Sequence, residues 1–126
     1  MKHLFVPYEI ALKLKELGFG GPCLGYYPYG SKDVHVVMYL NSSEWKDRDF
    51  PMTAAPLYQQ VVDWFWEKHH IHIVAELGLN PVNFYPVVKC VDGKGWHSFG
   101  HDITKWKPTI QEALTEGINY ALKLIS

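Results

Sequence analysis

The stretch TAAPLYQQVVDWFWEKHHIHIVAEL (53–77) changes its hydrophobic period in mid-course, and that change decides the fold. Over 53–70, Leu57, Val61, Trp64 and Phe65, widened by Tyr58 and Val62, recur at three- and four-residue intervals. That spacing predicts a helix with one broad apolar face. Thr53 is the expected N-cap. Gln59, Gln60, Asp63 and Glu67 lie outside the apolar face, and Trp66 falls between Gln59 and Asp63 on the polar side. From Ile71 the period drops to two, so 71–77 reads as a strand that follows the helix almost without a loop.

Working outward, VNFYPVVKCV (82–91) and WHSFGHD (96–102) read as further strands, separated by the glycine-bearing stretches 78–81 and 92–95. TIQE (109–112) is a capping box. It opens a helix whose face runs through Ile110, Leu114, Ile118, Ala121 and Ile125, widened by Ala113 and Leu122. Gly117 inside that helix costs about 1 kcal/mol relative to alanine unless another element packs close to it. Toward the N-terminus, PYEIALKLKELGF (7–19) predicts a helix with Pro7 at its first position and Ile10, Ala11, Leu14 and Leu17 inward. Gly18 is the expected left-handed cap residue, with Phe19 folding back toward Leu14. VHVVMYL (34–40) is a strand, and CLGYYPYG (23–30) an edge strand, a bulged strand or a loop, because Pro28 removes a ladder donor. NSSEWKDRDFPM (41–52) reads as a polar loop. The order is helix, two strands, helix, three strands, helix. The expected fold is a single small α+β domain over 1–126, with an antiparallel-rich sheet of about four to five strands and three helices.

The bulk composition agrees. The chain has 126 residues, 48% hydrophobic and 20% charged, enough to bury one core and far from the disordered regime. Twelve basic and 13 acidic side chains give a net charge of −1, and Arg48 is the only arginine, so no basic field marks a nucleic-acid binder. No run of eighteen apolar residues is present, and the first residues lack a signal-peptide core; the expectation is a cytoplasmic protein without a membrane span. Cys23 and Cys90 belong to no paired-cysteine motif and read as reduced, largely buried thiols.

Few residue groups point to a chemistry. The glycines of GFGGPCLGYYPYG (18–30) follow a helix rather than precede one, so carbonyls and not N–H donors crowd that end, and a phosphate loop is not expected. Tyr26, Tyr27 and Tyr29, with Trp45 in the polar loop and Trp66 on its polar helix face, are the candidate partner-binding residues. Exposed aromatic rings bury much area and keep a hydrogen-bonding tip. His70 and His72 share a parity, as do His97 and His101, and three imidazoles would suit a first-row metal. No HExxH or second ligand pattern preorganises them, so no tightly bound metal, cofactor or catalytic residue is expected. Asp47 and Asp49 sit beside Lys46 and Arg48, as in a neutralised loop. No GxSxG elbow is present.

FVPYEIALKLKELGFGGPC with the YY that follows (5–27), TAAPLYQQVVDWFWEKHHI (53–71) and EALTEGINYALKLI (112–125) resemble a group of small proteins of Bacteroidetes and their phages or other mobile elements. That group carries no assigned activity, so the resemblance implies lineage, a cytoplasmic setting and a mobile-element role, and transfers no site residue. Three readings follow. The first is a non-enzymatic accessory or interaction protein, acting as a homodimer or on a protein partner. It would gather Tyr26, Tyr27, Tyr29, Trp45 and Trp66 on one surface. A metal-dependent or histidine-based enzyme would instead bring His70, His72, His97 and His101 into a cleft. A single-stranded nucleic-acid binder would use the tyrosines as stacking platforms, against the charge balance.

Overall fold

The computed structural model describes residues 2–40, 52–79, 82–92, 95–99 and 106–126. They form an α+β fold with three helices and six strands in two antiparallel three-stranded sheets. A short 3₁₀ turn (Lys2–Leu4) precedes α1 (Tyr8–Glu16), β1 (Cys23–Tyr27), β2 (His35–Leu40), β3 (Thr53–Ala55), α2 (Tyr58–His69), β4 (Ile71–Leu79), β5 (Val82–Asp92), β6 (Gly95–Phe99) and α3 (Ile110–Ile125). The chain divides into two compact units, 1–60 and 61–126, with the boundary inside α2.

In the first unit the strand order is β2-β1-β3. β1 is therefore the central strand and not an edge, and of the three expected forms it is the bulged strand: its register with β2 shifts between Cys23 and Gly25. It ends at Tyr27, so Pro28 lies beyond the ladder and removes no donor from it. The second edge comes from Thr53–Ala55, which pairs with Tyr27, Tyr26 and Gly25. Thr53 is thus a buried strand residue and not a helix cap. The reason is Pro56: a residue before proline is pushed to extended geometry. The helix waits until Tyr58. There the Leu57 N–H donates to Gln60 Oε1 at 2.9 Å, the reach-back half of a capping box.

α1 starts one residue later than expected, with Pro7 as its cap position, and buries Ile10, Ala11, Leu14 and Lys15. The Lys15 ammonium donates to the Met52 carbonyl at 3.0 Å. Leu17, expected inward, is exposed, because it is the C-cap residue where the chain leaves the helix. Gly18 adopts φ 87°, the left-handed region that only glycine enters without a Cβ clash. The Phe19 N–H donates to Leu14 O at 2.9 Å and the Gly18 N–H to Lys15 O at 3.1 Å. These are the two bonds of a Schellman motif, and Leu14 and Phe19 are both buried.

In the second unit the order is β4-β5-β6. β4 and β5 pair from Ile71↔Cys90 to Leu79↔Val82. Pro86 sits inside β5, yet the ladder survives. The Phe84 N–H donates to Lys107 O at 2.7 Å and the Val91 N–H to His70 O at 3.0 Å. Even-numbered N–H groups of β5 therefore face away from β4, and Pro86 removes a donor only on that other side.

α3 packs on β4 and β5. Thr109 caps it, its hydroxyl accepting from the Glu112 N–H at 3.1 Å. Ala113, Gly117, Ile118, Ala121 and Leu122 are buried. Gly117 has the close contact its position in a helix requires: a Cβ there would stand 2.8 Å from Ile73 Cγ2 and 3.4 Å from Pro86 Cβ. Ile118 and Ala121 of the expected line are buried with Ala113 and Leu122, whereas Leu114 is only half-buried and Ile110 exposed, so the buried stripe is shifted toward Gly117. On the opposite face of the sheet the Trp106 indole lies directly on Gly78, with its ring centroid 5.1 Å from that of Tyr85.

Candidate functional site

The aromatic residues of the first unit separate by strand parity. Cys23, Gly25 and Tyr27 form the buried side of β1, while Leu24 is exposed and Tyr26 half-buried. Tyr27 is only 4% exposed and its hydroxyl donates to the Val6 carbonyl; it is a core residue and leaves the candidate surface. Tyr26 stands opposite His35, with ring centroids 5.6 Å apart. Tyr29 is 88% exposed. It occupies the tip of a turn in which the Ser31 N–H donates to Pro28 O at 3.0 Å and Gly30 has φ 77°. That is the third-position glycine of a type II turn. Trp45 lies outside the described residues.

The buried side of β1 also has an electrostatic consequence. Burial pushes the Cys23 thiol up to about 12, and burial, with smaller contributions from Tyr58 and Glu9, pushes the Tyr27 phenol up to about 12. Both groups are neutral in the fold. Below the unfolded values, 9.0 and 10.0, neither state ionises and stability is intact. As pH rises toward about 12 the unfolded chain ionises first, so stability falls over that window. Urea melts at about pH 8 and about pH 11 should show the loss, and Cys23→Ala should reduce it. A midpoint unchanged between the two would contradict the assignment.

The second unit carries the other ring cluster, at the corner between α2 and β4. The last turn of α2 closes with the His70 N–H donating to Trp66 O at 3.1 Å. His70 then takes φ 52°, a left-handed conformation that a histidine adopts more readily than most side chains. One residue therefore turns the chain from helix to strand. The corner directs the neighbouring imidazoles to different places. His69 is half-buried, packing on Trp64 at 5.0 Å and Phe65 at 6.1 Å between ring centroids. His70 and His72 are exposed, and both pack nearly perpendicular to the same indole, that of Trp66, at 5.8 and 6.4 Å. Trp66 itself is 46% exposed. The helix period placed it on the wet face; its two imidazole neighbours were not legible, because they depend on the left-handed corner.

The register of the sheet separates two of the candidate histidines, His72 and His97. The register sets His97 opposite Cys90, which pairs with Ile71, whereas His72 pairs with Lys89 and Ser98. Positions 72 and 97 thus fall on adjoining rows, which alternate between faces in an antiparallel sheet. His101 lies outside the described residues. Among the described residues no group of three or more His, Cys, Asp or Glu side chains could hold a metal ion. Cys23 and Cys90 are free, the first buried and the second half-buried. Among the described residues no helix is long and apolar enough to cross a membrane. No family profile, curated protein or solved structure matches the chain.

Proposed function

We propose that this chain is a small, non-enzymatic cytoplasmic interaction protein, an accessory protein of mobile-element lineage, that contacts a protein partner through exposed aromatic side chains. The observation that carries the reading is Trp66: a half-exposed indole on a helix, braced by His70 and His72. Tryptophan is among the residues that most often dominate interface energetics. A ring already held by its neighbours loses little freedom on binding, which leaves more of its contact energy as affinity. Tyr29, displayed on a hydrogen-bonded turn, is a second exposed ring in the other unit.

Capture from an extract of the host cell, comparing immobilised wild type, Trp66→Leu and Tyr29→Ser, tests the reading. The expected result is a protein retained by the wild type and lost with Trp66→Leu. Identical sets recovered by all three would overturn it. Sedimentation of the same proteins over a range of concentrations separates a homodimer from a distinct partner.

A further inference from the structure

β4 runs nine residues, Ile71–Leu79, along one edge of its sheet. Its ladder with β5 is continuous from Ile71↔Cys90 to Leu79↔Val82. The bond from the Val91 N–H to His70 O sets the parity: even-numbered residues exchange their bonds with β5. The N–H and C=O groups of Ile73, Ala75 and Leu77 therefore point away from the sheet. Among the described residues no backbone group pairs with them. Natural edge strands are blunted by proline, lysine, a bulge or shortness. β4 has none of these. Near its far end Leu77 is 53% exposed, more than any other aliphatic side chain among the described residues.

We infer that a second copy of this chain pairs with that edge, β4 antiparallel to β4 about a two-fold axis at Val74, so that two three-stranded sheets join edge to edge. A two-fold contact must be self-complementary, and this strand is. In this register Ile73 lies opposite Ala75 of the second copy, and Ile71 opposite its Leu77. Each such pair exchanges two hydrogen bonds, which satisfies the outward backbone groups. His72 comes opposite Glu76 of the second copy, and symmetry repeats the pair. Both side chains are exposed on the same face, so the imidazole N–H has a carboxylate acceptor across the joint. On the axis Val74 meets its own copy, and no like charges stand opposite each other. Moving the axis to Ala75 sets His72 against Gly78 and Glu76 against Val74, and both polar pairs are lost. A one-residue slip mismatches the faces. The pairing uses the backbone of β4 and does not depend on a partner at Trp66.

Sedimentation of the full chain across concentration should show a monomer–dimer equilibrium. Ala75→Pro removes an outward N–H from each copy and no bond to β5, and should weaken the dimer about tenfold or more. Leu77→Lys, a charge at an exposed edge position, should weaken it without unfolding the chain. Trp66→Leu should leave it unchanged. Val74→Cys should form an intermolecular disulfide in air, because facing residues of a non-hydrogen-bonded antiparallel pair stand about 4.5 Å apart at Cα. Leu77→Cys, far from its own copy in this register, and the wild type with Cys23 and Cys90 should not. A wild type that stays monomeric at the highest concentration would overturn the inference. So would a dimer unmoved by both Ala75→Pro and Leu77→Lys, or a Val74→Cys variant that does not cross-link. A dimer lost with Trp66→Leu and kept by Leu77→Lys would place self-association at the indole, leaving the interaction reading standing and the β4 pairing refuted.

Discussion

Ile118→Ala lowers the unfolding free energy by about 2–5 kcal/mol, the cost of a large-to-small change at a site that cannot collapse. Ile118 is 0% exposed, between Ala113, Ala121 and Leu122 on the face that α3 turns to β4 and β5. Its neighbour Gly117 already brings the helix backbone against Ile73, Pro86 and Val88. With the helix this close there is little slack for it to settle into the vacated space. Leu114→Ala, on the half-buried margin of the same helix, costs distinctly less. Urea melts of both variants check the pair. A loss below about 1 kcal/mol for Ile118→Ala would mean that α3 docks loosely.

Gly78→Ala produces the other large effect, at the upper end of the overpacking range, about 3 kcal/mol. A Cβ on residue 78 would stand 1.5 Å from Trp106 Cζ3, inside any permitted contact. The obstruction is a rigid indole, itself against Tyr85, so the ring must leave as a whole. The backbone beside it is tied down: Lys107 exchanges both hydrogen bonds with Phe84, and its ammonium pairs with Glu116 at 3.5 Å. Strain at Gly78 should therefore spread to the start of α3. The expected signature is a changed near-ultraviolet circular dichroism signal together with the lost stability. In a cycle with Trp106→Ala the two changes should be strongly non-additive, since either one alone removes the contact. Additivity would show that the indole and the glycine do not oppose each other.

What could be read from the chain follows from the range of each interaction. α3, the Thr109 cap and the Gly18 cap depend on residues within one or two turns, and the sequence there states them. The same holds for β4 and β5, whose alternation is local. The identity of β1 as a central strand was not legible, because it depends on β3, a three-residue strand contributed from more than twenty residues away. The one local clue was Ala55 before Pro56, which favours extended backbone over a helix start. Tyr27 reads from the sequence as one of three candidate surface tyrosines because alternation says that two neighbours differ in face, not which one is inside. Its burial follows from the position of β1 and the Val6 carbonyl. Trp66 was placed on the wet face by period alone. That His70 and His72 close around it depends on a left-handed histidine, for which no sequence signal as strong as glycine exists.

The single-residue joint at His70 has a further consequence, for how this chain can vary in length. Most helix-to-strand junctions contain a loop that absorbs an inserted or deleted residue. Here the last helical hydrogen bond ends on the same residue whose carbonyl accepts from Val91, so α2 and β4 are keyed to one another like gear teeth. An insertion between His69 and Ile71 would advance β4 by one position against β5 and reverse its faces. Ile71 and Ile73 would then face outward and His72 and Glu76 inward, beneath α3. It would also carry both imidazoles away from Trp66. Length change at this joint is therefore closed to the protein. The exposed indole keeps its phase with the sheet behind it for as long as the core itself is kept.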